Sequence, residues 1–118
     1  GRTKDIMVLT TTGKNAIRDL IDTAKDYGEM GTGTTTPTPS DTGLVSAVAA
    51  TQTSLTSSVS DKTLILDYTL NSTTGNGNTL TEFQNTISSG TNLNRVTFAG
   101  IQKTSSIEVE VSTTIFIE

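Results

Sequence analysis

The chain contains no cysteine, no histidine and no tryptophan. Without cysteine there are no disulfides and no thiolate metal ligands. Without histidine the usual near-neutral proton carrier is missing. Prolines are only two, Pro37 and Pro39, and aromatic residues make up 4% of the chain. No apolar run approaches the ~20 residues that span a bilayer, and the opening residues hold no signal-peptide core. Charge is sparse too, at 17% of residues with a net −4. That mild acidity argues against non-specific nucleic-acid binding, which draws on clustered lysine and arginine. The expectation is no cofactor, no metal, no nucleic-acid partner and no membrane partner.

What the chain has in abundance is hydroxyl. Roughly a third of its residues are serine or threonine, well above ordinary usage. Apolar content is 32%. Disorder at that level goes with high net charge, and here the charge is low and the apolar residues are periodic. We expect a folded, threonine-rich β domain. Its 118 residues form one domain, 1–118, burying roughly 65% of the unfolded surface.

Ile6-Met7-Val8-Leu9 is too short for a helix and reads as a strand or as part of an N-terminal arm over residues 1–11. Thr12 is placed to cap a helix over about 13–25, where Ala16, Ile17, Leu20, Ile21 and Ala24 recur at helical spacing. Residues 27–35 read as a strand interrupted by glycines. In Gly31-Thr32-Gly33-Thr34-Thr35-Thr36-Pro37-Thr38-Pro39-Ser40-Asp41, threonines favour extended backbone and the prolines stop any helix. Ser40 or Asp41 then predicts the cap of a second helix carrying Leu44, Val45, Val48 and Ala49 and ending near Thr51. Residues 52–60 read as an edge strand. Leu64, Leu66, Tyr68 and Leu70 alternate with polar or outward positions and predict a strand. The run Asn71–Asn78 is turn-forming and leads to a strand over Thr79–Gln84; another covers Arg95–Ile101. The last strand is the clearest: Ile107, Val109, Val111, Thr113, Ile115 and Ile117 face one way, Glu108, Glu110, Ser112, Thr114 and Phe116 the other.

Candidate sites are few. Gly31-Thr32-Gly33-Thr34 lacks the Lys-Ser/Thr of a phosphate loop and runs into proline, so it reads as strand and turn. Thr12-Gly13-Lys14-Asn15 lacks the upstream glycine and reads as a helix start. Glu108 and Glu110 share a strand face, which predicts a solvated surface rather than a cation site. Glu82 and Arg95 are placed for a cross-strand or cross-subunit ion pair, worth ~0–1 kcal/mol if exposed. Asn71-Ser72-Thr73 fits the N-glycosylation pattern, which arises readily in so threonine-rich a chain. The hydroxyls have no histidine base, so catalysis is not expected.

Several runs, taken in order, resemble a group of tailed-bacteriophage virion proteins of the tail-fibre, collar-fibre or minor structural kind. They are Tyr27-Gly28-Glu29-Met30-Gly31-Thr32-Gly33-Thr34-Thr35 with Pro39-Ser40-Asp41-Thr42-Gly43-Leu44, then Thr79-Leu80-Thr81-Glu82-Phe83, then Asn94-Arg95-Val96-Thr97-Phe98 with Ile101-Gln102-Lys103-Thr104. The final alternating strand completes the likeness, which covers about residues 12–118. The family often has glycine after the glutamate, where this chain has Phe83. The resemblance implies a virion component.

The expected architecture is α+β, an antiparallel β-sandwich with two short N-terminal helices. The expected function is non-enzymatic: a phage structural protein assembled in the host cytoplasm with other virion proteins, as a homo-oligomer on the tail, collar or fibre attachment. Contacts would run through β-edges and apolar patches. The interface candidates are Ile6, Met7, Val8 and Leu9, the extension marked by Gly31, Thr32, Gly33, Thr34, Pro37 and Pro39, and Phe116. A capsid decoration or cement protein is the alternative, followed by a host-surface binding module, with an enzyme last.

Overall fold

The computed structural model describes residues 8–118. Thr10 caps a single helix, α1 (Thr11–Ala24), its Oγ1 accepting from the Gly13 N–H at 3.0 Å. The cap is therefore Thr10 rather than Thr12. Seven strands follow: β1 (Lys25–Gly31), β2 (Thr53–Ser54), β3 (Thr56–Ser60), β4 (Thr63–Leu70), β5 (Thr79–Ile87), β6 (Thr91–Gln102) and β7 (Val109–Phe116). They form two antiparallel sheets stacked as a sandwich, with orders β2-β1-β5-β6 and β3-β4-β7.

The core lies between the sheets. Met30 and Phe83 from one sheet meet Leu64, Leu66, Tyr68, Leu70 and Val109 from the other, with Leu55 and Leu80 completing it. Tyr68 and Phe83 pack as tilted rings with centroids 4.9 Å apart. β4 and β7 pair in unbroken register from Thr63–Phe116 to Leu70–Val109. Strict alternation in both strands sets that register, because a one-residue slip would turn every apolar side chain outward.

The second predicted helix does not form. Residues 44–51 instead run as irregular chain across the first sheet, touching it through a bridge between Gly31 and Ala47. The Val48 N–H donates to the Met30 carbonyl at 2.9 Å, and Ala50 takes a left-handed φ of 64°. Nor do Ser40 and Asp41 cap anything: Thr38-Pro39-Ser40-Asp41 is a reverse turn, closed by the Asp41 N–H on the Thr38 carbonyl at 3.1 Å. The first long strand ends at Gly31, short of Thr35, while β5 and β6 run further than their alternation shows.

The expected edge strand at 52–60 is two pieces. Between them the buried Leu55 donates its N–H to the Asp26 carbonyl at 2.9 Å and carries the chain from one sheet to the other. That step closes one side of the sandwich, and α1 lies along it. Asn15 accepts from the Lys62 N–H at 2.7 Å, Arg18 donates to the Ser60 carbonyl, and Asp22 accepts from the Ser57 hydroxyl. The opposite side, between β6 and β7, has no such closure among the described residues.

Candidate functional site

Two features stand out: a buried carboxylate that organises the chain between β1 and β2, and the open side of the sandwich. The carboxylate belongs to Glu82, which is fully buried on β5. Its Oε2 accepts from the N–H groups of Gly33 and Ser46, both at 2.8 Å. Its Oε1 accepts from the Val45 N–H at 2.9 Å and from Arg95 Nε at 2.8 Å. All four lone-pair positions of the carboxylate are occupied. Burial pushes its pKa up, but the Val45 N–H, Arg95 and the N–H groups of Ser46 and Gly33 together hold it below the ordinary value of 4.5.

Arg95 extends the cluster. Its Nη1 donates to Asp41 Oδ2 at 3.0 Å and its Nη2 to the Thr35 carbonyl at 3.0 Å. The Thr38 N–H and the Arg95 guanidinium hold Asp41 below its usual carboxylate range. Glu82 and Arg95 thus bind five points on one loop: Gly33, Thr35, Asp41, Val45 and Ser46. This explains the missing helix. A carboxylate from a distant strand takes the Val45 and Ser46 N–H groups, and the chain that follows pairs with β1 instead of coiling. Space matters equally. A Cβ on Gly33 would lie 2.5 Å from Val45 Cβ and 2.6 Å from Glu82 Oε2, and one on Gly31 would strike Glu82 and the Ser46 carbonyl. Neither glycine has a positive φ; they are there for close approach, not for turning.

The expected Glu82–Arg95 pair therefore exists, within one chain and buried rather than at the surface. Its signal in the sequence was the pairing of two charges on neighbouring strands. Their burial depends on an irregular loop that no periodicity marks. Other buried polar residues were missed altogether, Lys103 and Asn85 among them. Lys103 is fully buried, donating from Nζ to Asn76 Oδ1 at 2.8 Å and to the Thr104 carbonyl at 3.2 Å. Asn85 is fully buried between the sheets, donating to Asn94 and Thr113, both at 2.9 Å, while its Oδ1 has no partner.

The interface candidates fall in different places. Ile6 and Met7 lie outside the described residues. Val8 is 81% exposed and Leu9 49%. Gly31 and Gly33 are buried under the loop, Thr32 and Pro37 are half-buried, and Thr34 and Pro39 are exposed. Phe116 is 66% exposed, and no helix lies over it. It sits at the far end of β7, beside Lys14, Asp61 and Lys62.

On the open side, β6 and β7 are the outer strands of their sheets. Between them runs an apolar groove of about 350 Å³, floored by Met30 and walled by Val96, Phe98, Ile101, Val109 and Val111. Glu110 stands on its rim, and Glu108 beside it is exposed.

Among the described residues, no three acidic, histidine or cysteine side chains gather as a metal site, and no helix is long and apolar enough to cross a membrane. Asn71 engages its own turn, its Oδ1 accepting from the Thr73 N–H at 2.9 Å. Comparison with protein-family models, with curated proteins and with solved structures returned no significant match.

Proposed function

We propose that the protein is a non-enzymatic structural subunit of a tailed-bacteriophage virion. It assembles in several copies on the tail, collar or fibre attachment, through strand edges and apolar patches. The observation that carries this reading is the sandwich left open on one side among the described residues, where two edges with no described partner strand flank an apolar groove. Such an edge is a template for another chain. The rest of the molecule supports a structural role. Its buried carboxylate has no lone pair left for substrate, and its buried arginine is committed to holding a loop. The resemblance to virion proteins falls on this same unit: the Gly-Thr-Gly-Thr run, the Pro-Ser-Asp turn, Glu82 and Arg95 are the residues the cluster gathers.

The test has two parts. Sedimentation of the purified chain should show concentration-dependent association. Mass spectrometry of gradient-purified particles of the encoding phage should find the chain at fixed stoichiometry. A chain that stays monomeric and is missing from the particles sinks the reading. Labelling it on intact particles separates a tail or collar position from capsid decoration.

A further inference from the structure

We propose that the groove between β6 and β7 receives the N-terminal arm of a second copy of this chain, residues 4–9, as an added strand. The inference rests on the assembly reading above and names what fills the open side. The arm supplies the right chemistry. Ile6, Met7, Val8 and Leu9 are four consecutive apolar residues, and of the two that are described, Val8 is largely exposed and Leu9 half exposed. An extended segment of that kind added to an unpaired edge gains backbone hydrogen bonds along the strand and buries alternate side chains in the groove. Charge agrees as well: Arg2 and Lys4 precede the apolar run, and Glu108 and Glu110 are exposed beside the groove.

Reach decides between the chain's own arm and a neighbour's. The contacts of α1 run from Asn15 at Lys62, through Arg18 at Ser60, to Asp22 at Ser57. The helix N-terminus therefore points out past the β3–β4 turn. At that end β7 presents Phe116, paired with Thr63. The groove is lined by Val109–Val111, five to seven residues back along β7, or about 17–24 Å at ~3.4 Å per residue. Leu9 to Ile6 extend at most about 14 Å from Thr10. Chain length alone therefore keeps the arm's apolar residues short of their own groove, and the proposal assigns them to a neighbour's.

The absence of cysteine makes the test clean. Full-length Met7→Cys protein, carrying a size tag, is mixed with untagged full-length Val96→Cys protein under mild oxidation. Val96 is 42% exposed, so the groove substitution leaves the core intact. The expected product is a mixed disulfide between tagged and untagged chains, outcompeting both same-variant dimers. In addition, Val8→Asp in the arm and Val96→Asp in the groove should each weaken self-association at least tenfold, with unchanged circular dichroism and melting. A disulfide formed within single chains of the double-cysteine variant at high dilution would overturn the proposal, as would no mixed product. Self-association that survives both aspartate variants overturns the arm docking but leaves the structural role standing. A wild-type chain that never associates removes both.

Discussion

At the scale of the residue, two buried charges behave oppositely. Glu82 is surrounded by donors that face nothing else. Replacing it by glutamine keeps the shape but turns an amide N–H₂ toward N–H groups and leaves Arg95 without its closest partner. Glu82→Gln should lower unfolding free energy by about 3 kcal/mol in urea titrations. Its depressed pKa also sets a sign. The carboxylate's contribution is fully present above its unfolded value near 4.5 and is lost as pH falls through the lower folded value. Asp41 acts in the same direction from 3.8. Stability should be level from pH 7 to about 5 and then decline, and in Glu82→Gln that decline should be shallower. A fall between pH 7 and 5 would contradict this assignment. Lys103 differs, because its acceptors Asn76 and Thr104 are exposed and return to water when the ammonium is removed. Lys103→Met, of similar volume, should leave stability unchanged or raise it by about 1 kcal/mol, read from the same titration.

At the scale of the element, legibility followed the source of the stabilisation. β4 and β7 could be read because each is one polar and one apolar face, a period the sequence displays directly. α1 could be read from Ile17 and Ile21, although Leu20, on the same predicted stripe, is 69% exposed. The stretch from Leu44 to Thr51 has a helical spacing of apolar residues and still is not a helix. Glu82 takes its Val45 and Ser46 N–H groups, the Met30 carbonyl takes that of Val48, and Thr51 Oγ1 accepts from the Met30 N–H at 3.1 Å while donating to the Val48 carbonyl at 2.8 Å. Interactions between residues so far apart leave no local trace. The candidate site was legible only as a pair of opposite charges and a glycine-rich run; that one grips the other depends on the tertiary fold. If the grip depends on close approach, Gly33→Ala should destabilise by about 1–3 kcal/mol, the range for overpacking. The first sign should be loss of amide protection at Val45 and Ser46 in hydrogen exchange.

At the scale of the whole molecule, the two sheets leave apolar surface uncovered at both ends of β7: the groove at Val109 and Val111, and Phe116. Phe116 offers a second patch, remote from the groove along β7. Phe116→Asp should reduce association in sedimentation while leaving the melting temperature within the shift of about 0.5 kcal/mol expected of surface changes. If the isolated domain unfolds instead, Phe116 serves folding and not contact.

The pairing of β1 with β5, and of β4 with β7, joins positions far apart in the chain. Such non-local topologies fold slowly, on the scale of milliseconds to seconds. Met30 on β1 and Val111 on β7 lie near opposite ends of the sequence, yet both line the same groove. On the docking proposed above, the groove that receives a neighbour would form only once both strands are in place. A half-folded copy would then offer nothing to dock into, and assembly would wait on completion of the monomer.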